Sequence, residues 1–235
     1  MTAYACIATR NEAETIGLLV TALRAQGLRV IVEDESDDLA TLCAALDAGA
    51  SARHTPGPRR TGLGPSLMRA WRRALHEGAT AIVQLDAGGS HDPAEAGRLL
   101  SRLRGANMIV GSRFCLGGRY DGNPLRAAGS RLVGQLCIRQ ALRHFWGQHY
   151  GLQLRYRGGL PTDWTSGFRA FTPTTAKWLL CGEYHYAGHA WQIETLLRLL
   201  REGAIVGEVP ITYTAGRSSL RLRGIWEAYR AWRMI

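Results

Sequence analysis

The sequence predicts an α/β fold with a mainly parallel central sheet and flanking helices. Two observations carry this reading. Short apolar runs alternate with segments of helical periodicity, and the polar residues between them fall directly after the apolar runs. A third supports it: 235 residues, 46% of them hydrophobic, suffice for a substantial core and exclude a disordered chain.

In chain order, Tyr4 to Thr9 is an apolar run ending in Arg10-Asn11-Glu12, which reads as a strand followed by a turn. Ala13 to Gln26 then repeats Ile16, Leu19, Val20 and Leu23 at helical spacing until Gly27 stops it. Leu28 to Val32 predicts a second strand, closed by the acidic cluster Glu33-Asp34-Glu35-Ser36-Asp37-Asp38, and Leu39 to Ala48 is again helical. A loop rich in Gly and Pro from Pro56 to Pro65 precedes a helix over Ser66 to Glu77 and a strand over Ala81 to Leu85. This alternation specifies right-handed βαβ units. Nothing marks an interdomain linker or a repeat.

In such sheets ligands bind beyond the carboxyl ends of the strands. Three polar loops fall there: Arg10-Asn11-Glu12, the cluster from Glu33, and Asp86-Ala87-Gly88-Gly89-Ser90-His91-Asp92. Gly-x-Gly-x-x-Gly and P-loop signatures are absent, which disfavours a dinucleotide fold or a P-loop enzyme. Carboxylates at strand ends suit a divalent cation that bridges to a diphosphate, or hydrogen bonds from a ribose and a base.

The net charge is +10, and Lys177 is the only lysine, so the cationic surface is almost wholly arginine. Guanidinium forks suit phosphate, and an anionic partner is implied: nucleotide, phosphorylated substrate, membrane surface or nucleic acid. Nucleic acid is disfavoured, because acidic clusters occupy the expected ligand edge. The five cysteines are scattered and suggest neither disulfides nor zinc, so a reducing compartment is expected. His185 and His189 lack a third ligand at zinc spacing. No run approaches the length of a spanning helix. Ser218 to Ile235 reads as a cationic amphipathic helix, either packed on the core or lying on a membrane, and Arg131 to Phe145 as a helix with a broad apolar face. Trp146 and the aromatics from Tyr150 to Tyr156 suit packing or a lipid interface.

The order of these loops resembles the family-2 glycosyltransferases of the GT-A (Rossmann-like) fold, specifically the polyprenol-phosphate (dolichol-phosphate) mannosyltransferase branch. Ala8-Thr9-Arg10-Asn11-Glu12 is similar to its Pro-x-Tyr-Asn-Glu opening, and Val32 to Asp38 to its Val-Asp-Asp-x-Ser-x-Asp loop. Gly62-Leu63-Gly64 matches Gly-Leu-Gly, and Asp86 to Pro93 sits where the family has Asp-Ala-Asp-x-x-His-x-Pro. Gly111-Ser112-Arg113-Phe114, the Arg126 to Arg131 segment, Thr165-Ser166-Gly167-Phe168-Arg169 and Gly207-Glu208-Val209-Pro210-Ile211 follow in family order.

The resemblance implies one GT-A domain: residues 1–110 hold the nucleotide sugar, 111–216 the acceptor, and 217–235 form the amphipathic helix. It implies an inverting enzyme that transfers a hexose, mannose from GDP-mannose being expected, to a polyprenyl monophosphate. The alternatives are a UDP-sugar donor, another glycan or lipid acceptor, or a degenerate non-catalytic relative. Thr9, Asn11, Glu12, Glu33, Asp34, Asp86, Ala87 and Arg217 would bind the nucleotide sugar. Asp86, with Ser90, would hold Mg2+ or Mn2+. Arg113, Arg126, Ser130 and Arg131 would hold the acceptor phosphate, and Gln192 and Glu194 the sugar. Asp86, Arg113 and Arg131 are the expected catalytic residues. The setting implied is the cytoplasmic face of a membrane, with a small membrane-anchoring subunit as a possible further partner. Four departures stand out: Ala8, Arg10 and Glu33 replace family residues, and Gly88 replaces the second aspartate of Asp-x-Asp, which predicts altered metal affinity or donor preference.

Overall fold

The computed structural model describes residues 2–148 and 160–215, the side chains of 140–148 excepted. The first half alternates β1 (Ala3–Thr9), α1 (Ala13–Ala25), β2 (Arg29–Asp34), α2 (Ala40–Asp47), β3 (Ser51–His54), α3 (Leu63–His76) and β4 (Ala81–Gln84). The second half comprises α4 (Ala96–Ser101), β5 (Met108–Ser112), β6 (Arg119–Asp121), α5 (Pro124–Gln148), β7 (Arg169–Phe171), α6 (Pro173–Leu180), α7 (Trp191–Arg201), β8 (Val206–Pro210) and β9 (Thr212–Thr214).

Seven strands form one sheet in the order β3-β2-β1-β4-β7-β5-β8, and β6 pairs with β9 in a separate ribbon. All large-sheet neighbours are parallel except β7, which runs antiparallel between β4 and β5. The chain leaves β1 through β2 to β3, then returns to place β4 on the other side of β1. The carboxyl ends of β1 and β4 therefore flank a topological switch point, where neighbouring loops diverge and open a crevice.

The apolar runs of β1, β2 and β4 are continuous because both faces of the sheet are covered. On one face Trp71 of α3 packs edge-on against Phe171, ring centroids 4.8 Å apart, and lies 5.2 Å from Trp191 of α7. The other face joins Ile7, Val32, Val83 and Phe168 to Ile16, Val20 and Leu23 of α1 and Leu99 of α4. The helices α1, α2 and α3 and strands β1, β2 and β4 lie where periodicity predicts, except that α3 begins at Leu63. Gly64 in its first turn explains the tight packing there, since a Cβ would stand 2.7 Å from the Trp191 ring. Strand β3 escapes the sequence pattern because it is a half-exposed edge of four residues, with Ser51 and Arg53 turned to solvent.

Candidate active site

The post-β1 turn is built on Asn11, the one non-glycine residue with positive φ among the described residues, at 57°. Asparagine tolerates this region because its short amide bonds locally. Here its side chain donates to Asp37 Oδ2 at 2.5 Å and accepts from the Asp37 N–H at 2.9 Å, while its own N–H donates to Ser36 Oγ at 2.7 Å. Behind it Thr9 is buried, and its hydroxyl has no hydrogen-bond partner among the described residues. The Glu12 N–H donates to Thr41 Oγ1 at 3.1 Å, and its carbonyl accepts from Thr15 and Ile16 to start α1.

The acidic cluster divides its work. Glu33 is buried and takes Arg73 Nη1 at 2.7 Å and Arg69 Nε at 3.3 Å. The carboxylate expected at the nucleotide is thus occupied by α3, in a cleft it shares with Arg53, His54, Thr55 and Arg72. Asp34 is fully buried: it accepts from the Ser36 N–H and hydroxyl and lies 2.8 Å from His54 Nδ1, so its oxygens shape the loop. Glu35 accepts five hydrogen bonds, from the N–H groups of Thr61 and Gly62, the hydroxyls of Thr61 and Ser66, and Arg69. Burial pushes its pKa upward, but the Thr61 and Gly62 amides with Ser66 and Arg69 outweigh that and hold it at about 2. Sequence reading passed over Glu35, although it lies in the cluster. Its geometry clamps the end of β2 to the start of α3.

Asp86 follows β4 at the crevice, with its side chain about one-third exposed. Its Oδ1 lies 2.7 Å from where a Cβ on Gly167 would stand, so only glycine leaves the carboxylate its place. The Asp86 N–H donates to His91 Nδ1 at 3.3 Å, and His91 is packed between Phe168 and Tyr213 at 5.1 and 5.3 Å. Burial holds the imidazole below its ordinary pKa, which keeps Nδ1 available as the acceptor. Ala87 is buried, and its carbonyl accepts from Thr15 Oγ1 at 2.9 Å, tying the loop to α1. Ser90, expected to assist a metal, is buried, and its carbonyl accepts from the Thr214 N–H at 3.0 Å. Among the described residues no three His, Cys, Asp or Glu side chains come together as a metal site, so a cation on Asp86 would take further oxygens from a bound diphosphate and water. The partly exposed Asp86 carboxylate is a hard oxygen donor of the kind that Mg2+ or Mn2+ takes.

Arg113 is buried and paired bidentately with Asp163, Nε to Oδ2 and Nη2 to Oδ1 both 2.7 Å, and Nη2 also donates to Thr165 Oγ1 at 2.6 Å. Burial alone would depress its pKa, but Asp163 holds it above the ordinary value, and Arg113 holds the buried Asp163 carboxyl below its own. Glu208, in the Gly-Glu-Val-Pro-Ile segment, fixes this partner by accepting from the N–H groups of Thr162 and Asp163 at 2.8 and 3.0 Å. Asp163 was missed because a lone aspartate before an aromatic carries no periodic signal. The Arg113 guanidinium also lies over Phe114 and Tyr213, at 5.0 and 5.1 Å, and Arg131 covers Phe114 at 5.0 Å. Arg126, Ser130 and Arg131 occupy the first turns of α5, which begins at Pro124, seven residues before the predicted Arg131. Arg131 is exposed, while Arg126 and Ser130 are partly covered.

Gln192 is buried and accepts from Gln84 Nε2 at 3.2 Å. Glu194 accepts from the N–H groups of His185 and Tyr186, both at 3.0 Å, and meets His185 Nδ1 at 3.1 Å, so it holds the loop before α7. That loop's Ala187 carbonyl receives the Gly64 N–H at 2.9 Å. A second residue without an assigned role emerges here. Arg169 is buried to 1% exposure with no carboxylate at ion-pair distance among the described residues, and donates to the carbonyls of Trp164, Ser166 and Gln192 and to Thr195. Burial depresses its pKa to about 9, which leaves it charged at neutral pH. It pins the segment that presses Gly167 against Asp86. Arg217, the 217–235 helix, Trp146 and the aromatics of 150–156 lie outside what is described. No helix of the described residues is long and apolar enough to cross a membrane.

A mainly parallel sheet interrupted by one antiparallel strand, with a carboxylate at its switch point, is the GT-A architecture. The solved glucosyl-3-phosphoglycerate synthase of Mycobacterium tuberculosis, in complex with Mn2+, UDP and glucosyl-3-phosphoglycerate, superposes at a TM-score of 0.67 and 19% identity, covering 98% of this chain and 77% of that one. TarS 1–349 of S. aureus, bound to UDP-GlcNAc, superposes at 0.57 and 11% identity, over 100% of this chain and 66% of its own. The profile of Glycosyl transferase family 2 matches residues 4–162, and the chain belongs to that family. Undecaprenyl-phosphate mannosyltransferase of Micrococcus luteus is 30% identical over 214 residues, 88% of this chain and 81% of the relative. Polyprenol monophosphomannose synthase of Mycolicibacterium smegmatis is 30% identical over 215 residues, 88% of this chain and 76% of the relative.

Proposed function

We propose that this glycosyltransferase transfers mannose from GDP-mannose to a polyprenyl monophosphate at a membrane surface, with inversion at the anomeric carbon and with Mg2+ or Mn2+ bound at Asp86. One observation carries the reading. Asp86, His91, Tyr213, Arg113, Phe114 and Arg131 form an unbroken run of contacts from the switch-point crevice to the start of α5. Such a run supports a reading in which a donor diphosphate at Asp86 lies beside an acceptor phosphate at Arg131. Two curated relatives at 30% identity are named for that acceptor chemistry.

In this reading a phosphate oxygen of the acceptor attacks the anomeric carbon, the bond from that carbon to the GDP diphosphate breaks, and its electrons leave with GDP. The acceptor is already an anion, so no strong base is required. A divalent cation at Asp86 would neutralise charge on the departing diphosphate. Arg131, exposed and seated on Phe114, offers the acceptor phosphate charge-assisted hydrogen bonds. Arg113, spent on Asp163, shapes that wall and contributes field. Membrane approach is supported by Leu116, Leu125 and Leu132, exposed to 99, 80 and 55% beside these arginines. A small anchoring subunit would dock to the same face.

Thermal-shift titration with GDP, UDP and their mannose and glucose conjugates, with and without Mn2+, tests the donor, because a ligand selective for the native state raises its Tm. Transfer of labelled mannose from GDP-mannose to a polyprenyl phosphate, lost in Asp86→Ala, completes the test. Stabilisation by UDP but not GDP would replace the proposed donor.

A further inference from the structure

We propose that the cleft between β3 and α3 is a second anion site, built for a small soluble ligand that carries a phosphate or diphosphate group. It is separate from the donor and acceptor sites of the proposed function and does not rest on them. The cavity measures about 380 Å³, at the lower end of the ~300–1,000 Å³ of small-molecule pockets. Its walls carry four arginines against one glutamate, an excess of three positive charges.

The four arginines are of two kinds. Arg69 and Arg73 are fixed: they hold Glu33 at 3.3 and 2.7 Å, and they also bond Glu35 and the Ser51 carbonyl respectively. The one carboxylate of the cleft is therefore already neutralised. Arg53 of β3 and Arg72 of α3 are exposed and have no side-chain hydrogen-bond or ion-pair partner among the described residues. Two unpartnered guanidinium groups from different elements thus line one concave space, beside two more that are held in place. Like charges gathered in a cleft repel one another, and its low-dielectric walls concentrate their field. An anion between them relieves the repulsion, and the guanidinium fork matches the paired oxygens of a phosphate.

Place in the sheet favours a soluble ligand over a lipid headgroup. Strands β3 and β8 are opposite edges, six inter-strand spacings of ~4.8 Å, or about 29 Å, apart. Exposed Leu116 belongs to the β8 end, because a Cβ on its neighbour Gly117 would stand 3.5 Å from Pro210. The cleft is therefore at the edge away from the apolar face that a bilayer would meet. It is also three spacings, about 14 Å, from β4, which carries the Asp86 loop.

The experiment is calorimetric titration of inorganic pyrophosphate into the full chain, metal-free and at fixed ionic strength, on wild type and R53Q/R72Q, with and without excess GDP. Wild type should bind pyrophosphate equally with and without GDP, and R53Q/R72Q should bind it at least ~10-fold more weakly, as expected for lost hydrogen bonds to a charged group. The ligand-free Tm of R53Q/R72Q should equal or exceed that of wild type, which separates lost binding from lost folding. Equal pyrophosphate affinity in the two chains overturns the site, and displacement of pyrophosphate by GDP makes the cleft part of the donor site instead. Cosedimentation with phosphatidate vesicles should be the same for both chains. A loss of cosedimentation in R53Q/R72Q, with no pyrophosphate bound by either chain, overturns the soluble ligand in favour of a lipid headgroup.

Discussion

Gly167→Ala tests how Asp86 is positioned without touching Asp86. The added Cβ would stand 2.7 Å from Asp86 Oδ1, whereas ordinary contact begins near 3.4 Å, so the carboxylate must retreat by 0.7 Å, the difference of the two. The φ of Gly167 is not positive, so alanine adds no backbone strain. The group displaced is the tip of a partly exposed side chain, which can move at little cost to folding. Catalysis is less tolerant: a misplacement of about 1 Å costs on the order of 100-fold, or about 2.7 kcal/mol in the barrier. Mannose transfer by G167A is therefore expected to fall by about 30- to 100-fold in kcat/KM with a Tm close to wild type. The control is a cycle with Asp86→Ala, measured under identical conditions. If the alanine acts through Asp86, adding G167A to D86A costs nothing further. Full additivity of the two losses, or wild-type transfer by G167A, would refute the positioning of Asp86.

Glu35→Gln breaks the clamp between β2 and α3. The gap between the ordinary carboxyl value of 4.5 and about 2 corresponds to at most about 3 kcal/mol of stability. Because the folded value is the lower one, this contribution is complete above about pH 5 and is lost as the pH falls from there toward 2. Urea unfolding should show E35Q less stable by about 2–3 kcal/mol at pH 7, the difference shrinking to about 1 kcal/mol or less near pH 2.5; a difference independent of pH would count against the clamp. Asp163→Ala leaves Arg113 buried without its partner and should destabilise by about 3–5 kcal/mol in the same assay, with a loss below about 1 kcal/mol showing that the pair is not desolvated. Arg131→Ala should raise the KM for polyprenyl phosphate by about 10- to 100-fold while leaving GDP binding intact, and equal loss of both would remove it from the acceptor site. Leu125→Ser with Leu132→Ser should weaken cosedimentation with anionic vesicles without changing GDP affinity, and unchanged cosedimentation would place the membrane face elsewhere.

Much of the architecture was legible in the sequence because its cause is local. The apolar runs of β1, β2 and β4 are buried on both faces, and the stripes of α1 and α3 repeat at 3.6 residues, so their burial is written in their spacing. The polar loops that follow β1, β2 and β4 share one sheet edge because parallel strands carry all their carboxyl ends to the same side. Asp86 could be placed at a ligand crevice from this alone, and the fold and family expected from the motif order are those found.

The partners of the site side chains could not be read in the same way, because each bond joins residues far apart in the chain. Glu33 and Asp34 look alike in the sequence, yet strand alternation sends one to Arg69 and Arg73 on α3 and the other to Ser36 and His54. Nothing near Arg113 in the sequence shows that Asp163, fifty residues on, pairs with its Nε and Nη2. Strand β7 enters between β4 and β5 in the reverse direction because long-range packing, not a local pattern, chooses its neighbours. By itself the sequence determined the fold, the edge at which ligands meet it, and an excess of arginine. Tertiary structure alone decided which of those arginines and carboxylates are neutralised in pairs and which still face a ligand, since only folding brings opposite charges from distant segments within reach.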